Sequence, residues 1–131
     1  MDLNQTLQIK CLFYFVGRGL ELVSRSNEEF QEEFEELDGI FQWNVGDVRM
    51  WLEADQGVFK SHRDAEHDAP TVTFTIDEAL FDKALEILTG QYDGTSAYMA
   101  GDLNIIGDIQ MGMKFAAVSE YLTEALSDLL S

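Results

Sequence analysis

Cysteine and proline occur once each in this 131-residue chain, as Cys11 and Pro70, and basic side chains are scarce too, eight against 25 acidic ones. A lone cysteine excludes an internal disulfide and suits a reducing compartment. The formal net charge of -17 repels the phosphates of nucleic acids and of anionic lipids, so no nucleic-acid partner and little or no direct docking on anionic membranes is expected. Long apolar runs are missing as well. The longest, Cys11 to Val16, falls far short of the roughly 20 residues that cross a bilayer. The opening MDLNQTLQIK is polar before any apolar run, the wrong order for a secretory signal, and the closing SDLLS is not a peroxisomal tripeptide. A cytoplasmic protein is the expectation. Its acidity fits either a high-salt habitat or a docking surface for protein partners with basic surfaces.

Catalytic signatures are also absent from the sequence. It has no G-x-S-x-G elbow, no H-E-x-x-H and no glycine-rich phosphate loop followed by Lys and Ser or Thr. Gly17 and Gly19 flank Arg18 without a preceding strand, a poor phosphate cradle. His62 and His67 stand with Asp64, Glu66 and Asp68 in one polar connection, and these are ligand types for zinc or another divalent ion. Structural zinc prefers rigid sets containing cysteine or three histidines, so no metal is assigned. The carboxylates from Glu28 to Glu36 read as a solvated helix edge rather than an acid–base pair. Cys11, inside an apolar run, reads as a small buried core residue rather than a reactive thiolate. Neither an enzyme nor a cofactor is expected.

What is present is a globular composition, 46% hydrophobic and 25% charged, in a chain long enough for one domain, residues 1–131, with no linker or repeat. From Leu3 to about Val23, Leu12, Phe15, Val16, Leu20 and Val23 recur at helical spacing. Ile9, Cys11, Phe13 and Phe15 also alternate, so a strand competes, but helix is the preferred reading. Ser26 or Asn27 then starts an amphipathic helix with Phe30, Phe34 and Leu37 on one face and Gly39 as its stop. The N-terminal helices thus occupy about residues 3–37, and a sheet with further helices residues 40–131. IFQWNV, VRMWLEA and GVFKS alternate and are separated by hairpin-type turns, predicting a three-stranded meander. TVTFTI is a fourth strand. Asp77 caps a helix carrying Leu80, Phe81, Ala84, Leu85 and Leu88 and ending at Gly90. After one helical turn near Ser96 to Met99 comes a strand from Asp102 to Ile106, and then a long helix from Asp108 to about Leu130 carrying Ile109, Met113, Val118, Leu122, Ala125 and Leu129. This order predicts an α+β fold with helices on one face of the sheet.

Methionines and aromatics crowd the end of the chain: Tyr98 and Met99 before the last strand, then Met111, Met113, Phe115 and Tyr121 in the last helix. They make either a soft ligand-adaptable lining or an ordinary core.

The run from DGIFQWNV through PTVTFTIDEALFDKALEILTGQYDGTSAYMAGDLNIIGDIQMGMKF resembles the sterol carrier protein 2 domain family. The resemblance covers roughly Leu37 to Phe115. It rests on an alternating strand, an acid-capped helix ending at Thr89 and Gly90, the segment Ala97 to Met99, and Gly101, Leu103, Ile105, Gly107 and Asp108 in the order G-(K/D)-L-x-I-x-G-(D/N) before an apolar helix. It implies a five-stranded, mostly antiparallel sheet covered on one face by helices, with an apolar tunnel between them. It also implies a non-enzymatic carrier of a fatty acid, sterol, isoprenoid or other lipid, either moving it between membranes or presenting a hydrophobic intermediate such as a quinone precursor to biosynthetic enzymes.

On the same resemblance, the inward strand positions Phe41, Trp43, Met50, Phe74 and Ile105 line the tunnel. Leu85 and Leu88 join them from the middle helix, Tyr98 and Met99 from the segment after it, and Met111, Met113, Phe115 and Tyr121 from the last helix. Gly101 and Gly107 would let the backbone turn sharply at both ends of the last strand, so that Met99 and Met113 face a shared cavity. Familiar eukaryotic members are basic, whereas this chain is acidic, which argues against a nucleotide phosphate headgroup. Monomer and dimer are both compatible with the sequence.

Overall fold

The computed structural model describes residues 1–130, with side chains through residue 125; the side chain of Leu129 lies outside the described residues. The first apolar run is helical. Helix α1 spans Leu3–Ser26 and opens on a capping box, with the Asp2 carboxylate accepting the Gln5 N–H and the Gln5 side chain accepting the Asp2 N–H. Ile9, Phe13, Val16, Leu20 and Ser24 form its buried stripe, steps of three and four residues that a strand could not bring to one side. Cys11 is exposed, which corrects its reading as core: two residues along a helix turn it about 200° away from Ile9.

Asn27 ends α1 and caps α2, Glu28–Phe34, its side chain accepting the Phe30 N–H. The acids of α2 are exposed while Phe30 and Phe34 are buried. The helix ends at Phe34, three residues before Leu37 would extend its face. Gly39 is not its stop but the first residue of β1.

The sheet has the order β3-β2-β1-β4-β5. Strands β1 (Gly39–Val45), β2 (Val48–Asp55) and β3 (Val58–Arg63) form the antiparallel meander. β4 (Val72–Ile76) lies parallel to β1, and β5 (Asn104–Gly107) is antiparallel to β4. Strand β3 runs further than the alternation suggests, because pairing with β2 carries His62 and Arg63 into the ladder. His62 is therefore not in a loop with His67. Its ring stacks on Trp51 at 3.8 Å, and His67 meets the same indole edge-on at 4.7 Å.

Asp77 caps a short 3-10 turn, Glu78–Leu80, before α3, Phe81–Leu88, so regular α-helix starts later than its cap. Helix α4, Gly94–Ala100, closes on Gly101 in the left-handed region with φ of 84°. Asp108 then caps α5, Ile109–Leu130, its carboxylate accepting the Met111 N–H at 3.1 Å. The Phe115 ring fastens α5 to the sheet, lying 5.0 Å from Phe41 and 5.3 Å from Phe74 between centroids. Alternate residues of β1, β2 and β4 are buried beneath the helices, while Trp51, Asn44 and Thr73 on the other side stay partly exposed.

Candidate functional site: an apolar cavity between sheet and helices

Between the sheet and α1, α3 and α5 lies a cavity of about 890 Å3, a size typical of ligand sites, which run from roughly 300 to 1,000 Å3. Its floor is the sheet: Trp43 of β1, Phe74 of β4 and Ile105 of β5, with Leu103 beside them. These side chains share a face because the β1–β4 register sets Trp43 opposite Phe74 and the β4–β5 register sets Phe74 opposite Ile105. The indole and the Phe74 ring stack at 4.5 Å. Met113, Phe115, Ala116 and Leu122 of α5 form one wall, Leu12, Phe15 and Val16 of α1 another, and Ile87 and Leu88 of α3 join them. The segment from Thr89 to Thr95 makes a polar rim. Cys11, Leu12 and Thr89 also border an outer groove between α1 and α3, whose lining includes Leu7 and Leu85.

Glycines allow these elements to approach. Gly107 has φ of 103°, and a Cβ there would sit 2.4 Å from the Thr71 carbonyl oxygen, so only glycine lets β5 pass Thr71 into α5.

The family model for the SCP-2 sterol transfer family matches residues 20–120. The chain belongs to that family. No curated protein matches the sequence. Among solved structures, palmitated SCP2L2 from Aedes aegypti is similar with a TM-score of 0.58 and 15% identity, over 91% of this chain and 95% of that one. The UbiJ-SCP2 ubiquinone synthesis protein gives 0.54 and 17%, over 93% and 95%. The sec-alkylsulfatase Pisa1 from Pseudomonas sp. gives 0.54 and 18% over 66% of this chain, which spans only 14% of that enzyme's length. At these identities the likeness is one of fold. The five-stranded mixed sheet with its helices is that of the sterol carrier domain.

In this sterol carrier fold, Trp43, Phe74, Leu88, Ile105, Met113 and Phe115 come together on the cavity. The other residues anticipated from the sequence lie elsewhere. Phe41 and Met50 are fully buried in the solid core below it. Leu85 faces the outer groove. Tyr98 and Met111 are half-buried against the core, Met111 bringing its methyl to 3.1 Å from where a Cβ on Gly39 would be. Met99 is 80% exposed and does not share a cavity with Met113; the left-handed turn at Gly101 ends α4 with Met99 on its outer side. Tyr121 packs edge-on against Phe30 and Phe34 at 5.4 and 6.4 Å, and its single hydroxyl proton has two acceptors within reach, Asn27 Oδ1 at 2.9 Å and Glu29 Oε2 at 3.0 Å. Burial first, then the Glu29 carboxylate, raise its pKa.

The α1 wall and the Thr89–Thr95 rim were not anticipated. A signal for the former existed in the sequence: Leu12 and Phe15 stand beside the Ile9, Phe13, Val16 stripe, an apolar band wider than one packing contact needs. The rim carries no such signal, since its Thr, Asp and Gly residues read as an ordinary connection. At the rim, Tyr92 donates its hydroxyl to Asp102 Oδ2 at 2.8 Å, and this bond, with burial and the Asp102 charge, raises its pKa. Among the described residues no group of three or more His, Cys, Asp or Glu is placed to hold a metal ion, and no helix is long and apolar enough to cross a membrane.

Proposed function

We propose that the protein is a non-catalytic carrier that holds one lipid-like molecule in the cavity and shields its apolar part from water. The observation that carries this reading is the cavity of about 890 Å3 walled by Trp43, Phe74, Ile105, Met113 and Phe115. Each methylene buried there contributes about 0.8 kcal/mol, so a long chain gains on the order of 10 kcal/mol before ordering costs. No charged anchor is needed for such binding. Native mass spectrometry of the protein as purified, followed by organic extraction, tests the reading. A released lipid of defined mass is expected. A protein that stays at its bare mass after incubation with alcohols, sterols, fatty acids and quinones would overturn it.

A second reading is favoured by the similarity to the UbiJ-SCP2 ubiquinone synthesis protein together with the net charge of -17. Here the protein presents a hydrophobic intermediate to biosynthetic enzymes and meets them through its acidic surface. Capture of such enzymes that weakens steeply with added salt supports presentation, whereas vesicle-to-vesicle lipid transfer without any partner supports free transport.

A further inference from the structure

The cavity is one-sided in its charge, while the one unpartnered buried side-chain polar atom among the described residues is the indole N–H of Trp43, a residue of its floor. Its charged lining residues are Asp93, Glu120 and Glu124, all exposed carboxylates. The outer groove that shares its border adds Asp82 and Glu86. Among the described residues no Lys, Arg or His lines either space, and the sequence beyond Lys114 contains no basic residue. Lys83, not itself a lining residue, places its ammonium 3.9 Å from Glu86 and 5.5 Å from the centroid of the Tyr92 ring, outside the lining.

The hydroxyls of the rim point the same way. Thr89 Oγ1 donates to the Leu85 carbonyl at 2.6 Å, Thr123 Oγ1 to the Ser119 carbonyl at 3.0 Å, and Tyr92 Oη to Asp102 at 2.8 Å. Thr95 Oγ1 approaches Met113 Sδ at 3.7 Å. Each of these hydroxyls has an acceptor within the protein, and each oxygen keeps lone pairs for an incoming donor. Ionised carboxylates are acceptors only. The side chains of the rim, Ser119 apart, are therefore a set of acceptors in a field of negative charge.

We propose that the cavity selects an amphiphile whose head donates a hydrogen bond and bears no negative charge, an alcohol or an ammonium, and discriminates against carboxylate and phosphate heads. An anionic head at the rim would meet Glu120, Glu124 and Asp93 with no cation in the lining to offset them. A hydroxyl or ammonium finds acceptors at the same positions. The apolar chain contributes equally to all, so the head decides. This inference rests on the cavity being the lipid site.

The test holds the chain constant and changes the head. Dodecanol, dodecylammonium and dodecanoate are titrated at neutral pH and low salt against the protein loaded with Nile red, an uncharged probe. Dodecanol and dodecylammonium are expected to displace it at concentrations at least about tenfold below dodecanoate, a difference of about 1.4 kcal/mol. In the variant combining Asp93→Asn, Glu120→Gln and Glu124→Gln, dodecanoate is expected to come within about threefold of dodecanol. The alcohol and ammonium arms then differ, because only ammonium loses affinity in that variant. Equal or tighter binding of dodecanoate to the unmodified protein overturns the inference and leaves the carrier reading standing. A preference unchanged in the variant overturns the assignment to these carboxylates. Failure of Nile red and all three amphiphiles to bind overturns the carrier reading and this inference with it.

Discussion

The carboxylate of Glu21, on the last turns of α1, accepts the backbone N–H of Ser61 at 2.8 Å and the Ser61 hydroxyl at 3.0 Å. Next to it, Ser24 Oγ accepts the buried Phe59 N–H at 3.0 Å and Arg25 donates to the Phe59 carbonyl at 2.8 Å. β3 is the edge of the sheet, and these three side chains satisfy backbone groups that would otherwise be open to pairing with another chain. The first helix thus closes the sheet at one side while its other face walls the cavity.

Glu21 gives this arrangement a pH dependence. Partial burial by itself raises the carboxyl pKa, but hydrogen bonds from the Ser61 N–H, Arg18 and the Ser61 hydroxyl outweigh it and hold the pKa below the ordinary 4.5. Because the folded group binds its proton less readily than the unfolded one, its stabilisation is fully present above 4.5 and is lost as the pH falls through the lower folded value. Glu21→Gln is expected to cost about 1 to 2 kcal/mol in urea unfolding at neutral pH. The gap from the parent should narrow only below 4.5; a gap that is constant down to strongly acidic pH contradicts the assignment.

Two glycines separate steric from conformational demand. At Gly107 both apply, since φ is 103° and the Thr71 oxygen lies 2.4 Å from an added Cβ, so Gly107→Val is expected to cost about 2 to 4 kcal/mol. At Gly101 φ is 84° but nothing lies within 4 Å, and Gly101→Ala is expected to cost only about 1 to 2 kcal/mol. Chemical denaturation of the two variants, in equal buffer, decides whether that order holds.

Ala116 lies on the cavity wall and is half-buried. A phenyl ring there occupies ligand space, and Ala116→Phe is expected to lower Nile red uptake at least about tenfold while unfolding free energy changes by about 1 kcal/mol. Met99, exposed on the outer side of α4, is the control: Met99→Ala should leave both within about 0.5 kcal/mol. Full uptake by the Ala116→Phe protein would place the ligand elsewhere.

Tyr121 joins α5 to α2. Tyr121→Phe keeps the ring contacts with Phe30 and Phe34 but removes the hydroxyl that reaches Asn27 and Glu29, and should cost about 0.5 to 1.5 kcal/mol. Absorbance titration should lose a tyrosine that ionises above the ordinary 10.0; an unchanged titration curve would sink the assignment.

Much of the fold was readable from local signals. The alternation in Val72, Phe74 and Ile76 and in Leu103 and Ile105 reports which strand face is buried, because the side-chain period of a strand is two. Asp77, Asp93 and Asp108 each cap a helical start, as short acidic side chains do. Local pattern does not reveal the exposure of Cys11, because an apolar run around it suggests burial and only the phase of the helix turns it outward. Local pattern places His62 in a loop because its position in β3 depends on pairing with Trp51, not on its own neighbours.

What the sequence by itself determined is the set of elements, the sign of the charge and the scarcity of chemistry: periodicity, caps and composition act within a few residues and need no partner. Only the tertiary structure decided which apolar residues border space and which fill it. Phe41 and Trp43 sit two apart on the same strand face, yet Phe41 is closed in by Phe59 and Phe115 while Trp43 opens onto the cavity. The difference lies in how the helices are placed over the sheet, which long-range packing sets and no local pattern encodes.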